Sequence, residues 1–224
     1  MQLAAVTLAR TLLFVESFDL NPRGKAYYPD IVQGLVEKCG FQKFPQKLED
    51  FDENKGVEFL SGRWGDVTIE AVKIYGNGIL LDTRVSTAES ERIIGEALTW
   101  AASKFGLIYS PKMITRRGYV NNLTFYSDAP ILGNKDNSPV AKLVQRVNEA
   151  FSQTSGDMTR WGPTILTVNS EQFPRKPLHA PFTIQRRAET TFAESKYFSE
   201  APLPTDEHIA LLEAFEADVI ASNK

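Results

Sequence analysis

The stretch VTIEAVKIYGNGILLDTRVSTAESERIIGEALTWAASKFG, residues 67–106, decides the fold. Val67 to Tyr75 and Ile79 to Val85 are rich in β-branched and apolar residues, and both read as strands. Gly76-Asn77-Gly78 between them reads as a tight hairpin turn, its glycines supplying positive φ. Ser86 with Glu89 makes a capping box. Behind it Ile93, Ile94, Ala97, Leu98, Ala101 and Phe105 form the apolar stripe of a helix that Gly106 ends.

The same grammar extends on both sides. Val57 to Trp64 reads as a strand preceding the hairpin, and Phe41 to Lys55, charged and broken by Pro45, as an exposed loop or a ragged short helix. Before it, Pro29 opens a helix whose stripe is Ile31, Val32, Leu35, Val36 and Cys39, with Gly40 as its left-handed terminus. Cys39 therefore belongs to a core face. Arg10 to Phe18 reads as a buried strand closed by Asn21-Pro22-Arg23-Gly24.

Towards the carboxy terminus a strand is expected over Tyr119 to Tyr126. A helix follows, capped by Ser138 and opened by Pro139, with Val140, Leu143, Val144, Val147 and Phe151 at helical spacing. Ser152 to Arg160 reads as a loop. Thr164 to Val168 and Phe182 to Arg187 read as strands around a proline-rich excursion, and a last helix starts at Thr205 with the face Ile209, Leu212, Phe215, Val219. Between them, Phe192, Tyr197 and Phe198 form an aromatic cluster in a long loop that folds back or docks a partner.

Hairpins outnumber strand-helix-strand crossovers, so the expected fold is α+β: a mostly antiparallel, hairpin-rich sheet covered by about four amphipathic helices. The 224 residues suit one domain over 1–224, or two intimately packed halves, 1–106 and 107–224. A hydrophobic fraction of 42% with 24% charged residues is that of a globular chain. The single cysteine excludes an internal disulfide framework and any one-chain zinc site with two thiolates. With no signal-peptide pattern and no apolar run near the about 18 residues of a spanning helix, the chain reads as cytoplasmic and not membrane-bound.

Catalytic signatures are missing from the sequence. His179 and His208 are the only histidines, no phosphate-cradling glycine loop precedes a Lys-Ser/Thr pair, and no Gly-x-Ser-x-Gly elbow occurs. His208 reads as part of a cap with Thr205, and no metal or cofactor is expected. Glu70 with Asp82, or Asp50 with Asp52, would hold a magnesium ion only in a nuclease of unfamiliar type.

Charge is the more suggestive signal. Residues 101–187 carry 12 Lys and Arg against 5 Asp and Glu, whereas residues 188–224 carry 2 against 8. The basic stretch holds Arg116, Arg117, Tyr119, Arg160, Trp161, Arg175, Lys176, His179, Arg186 and Arg187. Arginine beside aromatics suits phosphate and base contacts. The same arginines also suit pairing with the acidic tail that follows at Glu189, Glu194 and Glu200, or with a protein partner. These features lead to the expectation of a non-catalytic interaction or assembly subunit that binds a protein partner or a second copy. Nucleic-acid binding through residues 112–187 is the alternative.

Overall fold

The computed structural model describes residues 1–133, 139–155, 160–171 and 180–222. Among these residues are eight strands: β1 (Gln2–Phe14), β2 (Val57–Trp64), β3 (Val67–Tyr75), β4 (Gly78–Thr83), β5 (Arg116–Tyr126), β6 (Ile165–Val168), β7 (Phe182–Arg186) and β8 (Lys196–Ala201). The helices are α1 (Ser17–Leu20), α2 (Tyr28–Cys39), α3 (Thr87–Phe105), α4 (Pro139–Ser155) and α5 (Thr205–Ser222). The strands run β2-β3-β4-β1-β5-β8-β7-β6 in one antiparallel sheet, which makes the fold α+β as expected. The chain divides into two compact units. The N-unit is Val6–Asn122 with Pro202–Asp206, and the C-unit is Met1–Ala5, Leu123–Ala201 and Glu207–Lys224.

In the N-unit, inward side chains of the strands meet the apolar stripes of two helices. Leu13, Val57, Phe59, Ile69 and Leu81 from the sheet pack with Val32 and Cys39 of α2 and Ile93, Ile94 and Leu98 of α3. Gly40 and Gly106 take φ of 63° and 75° as anticipated. The Ser86 hydroxyl accepts the Glu89 N–H at 3.1 Å, but the Glu89 carboxylate binds Arg92 instead of closing the capping box.

Three expectations change here. Neither Gly76 nor Gly78 has positive φ. Gly78 instead allows a close approach between strands, since a Cβ there would fall 3.0 Å from the Leu13 carbonyl oxygen. The first strand runs from Gln2 to Phe14, earlier than Arg10 to Phe18, and the chain turns into α1 at Ser17. Its inward series Ala9, Thr11, Leu13, Val15 alternates cleanly, but Leu12 and Phe14 on the other face are apolar too and mask the period. Within the charged segment 41–55, Phe41 is buried against Phe59 with ring centroids 5.3 Å apart. Lys43 forms a backbone bridge with Leu60, so that part of the expected loop lies along β2.

A buried polar network ties residues far apart in sequence. The Thr87 N–H donates to Thr205 Oγ1 at 2.9 Å, and the Thr205 N–H donates to Thr87 Oγ1 at 2.9 Å. Asn121 of β5 donates its amide to Thr205 Oγ1 at 3.0 Å and to the Leu8 carbonyl at 3.2 Å. Helix starts leave backbone N–H groups without intrahelical partners, and here each of two starts supplies the other's acceptor.

In the C-unit, β8 is the main departure from expectation, because residues 196–201 form a strand where an aromatic loop was expected. Tyr197, Ser199 and Ala201 point inward, Tyr197 stacking on Phe125 at 5.5 Å. A serine in the inward series hides the strand's period. Ser199 is satisfied by donating its single hydroxyl proton to the Thr183 carbonyl at 2.6 Å, so the 2.7 Å contact with His208 Nε2 has the imidazole N–H as donor. His208 is therefore a core residue, fully buried against Phe182. α4 continues to Ser155, beyond the expected start of a loop at Ser152, while its proposed Ser138 cap lies outside the described residues.

Two outcomes are expected. Thr205→Val keeps the shape but leaves the Thr87 N–H without its acceptor and takes one acceptor from the Asn121 amide, and it should cost about 2–4 kcal/mol in urea unfolding. Desolvation lowers the His208 pKa to about 4, below the about 6.5 of an unfolded imidazole. As pH falls through this window the unfolded chain takes up the proton first, so stability is lost between pH about 6.5 and about 4. Between pH 7 and 4.5 the wild type should lose about 2 kcal/mol more than His208→Gln; equal losses would contradict the assignment.

Candidate protein-docking surface

The residues singled out in the basic stretch fall into separate environments. In the N-unit, Arg117 Nε donates to Glu91 Oε1 at 2.7 Å and the Tyr119 hydroxyl donates to Glu91 Oε2 at 3.0 Å. That carboxylate, on α3, holds the Arg117 pKa above its usual value. The Arg116 guanidinium lies 3.9 Å from the Phe14 ring centroid. Arg117 thus pairs with an acidic residue, but the partner is Glu91 rather than the tail.

In the C-unit, Arg160, Trp161 and Arg186 line one depression of about 380 Å³ together with Asp128, Val144 and Tyr197. Arg186 Nε donates to the Pro163 carbonyl at 3.3 Å, and its guanidinium lies 5.5 Å from the Tyr197 ring centroid. Trp161 is pinned to α4. Its N–H donates to Asn148 Oδ1 at 2.8 Å, Asn148 Nδ2 donates back to its carbonyl at 3.3 Å, and its ring meets Phe151 at 5.1 Å. Arg187 is exposed, its backbone N–H bonded to the Lys196 carbonyl at 3.0 Å. Arg175, Lys176 and His179 lie outside the described residues.

The acidic candidates are engaged by basic groups or backbone. Arg10 grips both oxygens of Asp82 at 2.8 and 2.7 Å, and Arg84 Nε lies 3.0 Å from Glu70. The backbone N–H groups of Gln46 and Lys47 hold the Asp50 carboxyl below its usual pKa. Among the described residues no three His, Cys, Asp or Glu side chains gather as a metal site. Burial pushes the Cys39 thiol up to about 11, which makes it a poor nucleophile at neutral pH.

Sequence reasoning missed the pattern of exposed apolar groups. Among the described residues β6 is the outermost strand of its end of the sheet, and all four of its residues, Ile165 to Val168, are exposed. The Arg186 N–H donates to the Thr164 carbonyl at 2.9 Å, and β6 pairs with β7 in the register Leu166↔Ile184 and Val168↔Phe182. Antiparallel alternation therefore turns the backbone groups of Leu166 and Val168 towards β7 and those of Ile165 and Thr167 outward. On α4, Val140 and Leu143 are 49% and 60% exposed, so the apolar stripe read at helical spacing is partly bare. The readable signal was composition: Thr164 to Val168 has no charge, proline or glycine, the devices that usually protect an edge.

At the opposite end of the strand order, β2 is protected. Lys43 bridges Leu60, Gln42 donates to the Leu60 carbonyl at 3.1 Å, and Ser61 takes φ of 56°, which breaks the regular edge. No protein-family model matches this chain, and no curated protein matches it.

Asn148→Ala removes both bonds that hold Trp161 on α4. It should lower C-unit stability by about 1–2 kcal/mol and shift the Trp161 fluorescence to longer wavelength, measured in a Trp64→Phe, Trp100→Phe background.

Proposed function

We propose that the chain is a non-catalytic assembly subunit that pairs with a second copy of itself through the edge of β6. The observation that carries this reading is an uncharged edge strand whose four residues are all exposed, with two sets of outward backbone groups, whereas the edge of β2 is bridged by Lys43. Strand addition supplies main-chain hydrogen bonds, and apolar side chains on either face add contact. A two-fold axis beside β6 brings Thr164 to Val168 against the same segment running antiparallel, a self-complementary contact of the kind closed dimers use. No charge in the segment opposes its own copy. The bare Val140 and Leu143 of α4 extend the apolar surface available in the same unit.

Light scattering across the micromolar range should give a mass that rises from one chain to two. Thr167→Pro removes an outward N–H while leaving the β6–β7 bonds intact, and it should weaken association at least about tenfold with an unchanged circular dichroism spectrum. A chain that stays monomeric throughout refutes the reading. Retention of single-stranded oligonucleotides that falls with salt and is lost in Arg160→Glu would select nucleic-acid binding at the Arg160, Trp161, Arg186 depression instead.

A further inference from the structure

The N-unit holds a cavity of about 370 Å³ between the sheet and helices α2 and α3. Its wall is core material: Ile69 and Leu81 from strands, Leu35 from α2, Leu98 from α3. Trp64 and Trp100 also line it, their rings edge to face at 6.4 Å. Protein interiors rarely leave gaps larger than a water molecule. Left empty, a space of this size costs its lining atoms their dispersion contacts. Water is a poor filler, because a hydrating molecule needs two to four polar partners and this wall offers few. An apolar cavity of roughly 150 Å³ is enough to take up benzene, and pockets for small ligands begin at about 300 Å³.

The polar groups in the wall define the end of the ligand. Ser17 Oγ donates to Glu53 Oε2 at 3.1 Å, which places a carboxylate in the lining, and Phe18, 74% exposed, marks the opening. Asn21 is occupied by two bonds to the backbone of Ala26, at 2.8 and 3.1 Å. The Tyr28 hydroxyl is buried and has no hydrogen-bond partner among the described residues. Burial and the nearby Glu53 raise its pKa, so it stays protonated and remains a donor. A buried donor without an acceptor calls for an explanation. A ligand carboxylate would meet Glu53 with like charge, and a plain alkane would leave Tyr28 unsatisfied.

We infer that the N-unit binds an uncharged aliphatic molecule ending in a hydroxyl, its chain lying among Ile69, Leu81, Leu98 and Trp100. The terminal oxygen accepts from Tyr28, and its O–H donates a hydrogen bond to the Glu53 carboxylate. The site lies wholly within the N-unit and is independent of the β6 edge.

Displacement of the neutral dye Nile red from the full chain by 1-decanol and by decanoate, at neutral pH, tests this. Decanol should displace the dye, and decanoate should be at least about tenfold weaker. Tyr28→Phe should weaken decanol about tenfold, one hydrogen bond's worth of affinity. Ala97→Trp, at a wall position of α3, should abolish uptake while circular dichroism stays unchanged; Leu107→Trp fills the cavity from a second side should the first variant not fold. Binding that persists in Thr167→Pro separates this site from self-association. Failure of folded wild type to take up dye or decanol, or wild-type binding by a filled variant, overturns the inference, and equal affinity for decanol and decanoate overturns the assignment of the hydroxyl end.

Discussion

Two helices that begin 118 residues apart share one pair of hydroxyl groups, and much of the N-unit depends on that arrangement. Thr87 and Thr205 each give the other's backbone N–H an acceptor in a fully buried place, where an unpaired amide is costly. Asn121 reaches the same oxygen and also bonds to the Leu8 carbonyl, while Thr11 Oγ1 donates to the Thr87 carbonyl at 3.1 Å. A buried network of this kind is strong when every member is paired and damaging when one is lost. Neither helix start can slide along its neighbour without stranding a polar group, so the network fixes position where apolar packing alone would tolerate slippage.

The apolar layers are less demanding. Val57, Phe59, Ile69 and Leu81 form a face that many similar side chains would reproduce. Strand edges impose a stricter requirement, since each presents a row of unsatisfied backbone groups. On β2 the requirement is met locally: Phe41 anchors the passing segment and Lys43 pairs with Leu60. On β6 no comparable device occurs among the described residues, and the exposed side chains there are Ile, Leu, Thr and Val. The contrast between the two strands concentrates attention on the C-unit.

What could be read from the sequence was local. Pro29, Gly40, Ser86 and Gly106 act within a few residues of themselves, and all mark helix ends as read. What escaped was non-local or disguised. β8 is hidden because its inward position 199 is serine, acceptable only because Thr183 and His208 lie beside it. His208 looks like an exposed first-turn residue until its surroundings are known. The basic stretch reads as one surface along the chain, yet Arg117 and Tyr119 are committed to Glu91, 26 and 28 residues away. Periodicity identified the apolar stripe of α4 but could not tell whether anything covers it. The cavity follows from how sheet and helices close on each other, which no spacing rule encodes.

Cys39 has a practical consequence. It is the chain's one thiol, it sits in the N-unit core, and burial keeps it protonated well above neutral pH. Charged alkylating reagents need an accessible thiolate, so the native protein is nearly silent to them. A cysteine introduced at exposed Gln153 would then be the only one to react. A spin label, fluorophore or cross-linker could therefore be placed at any chosen surface position without first deleting the natural residue.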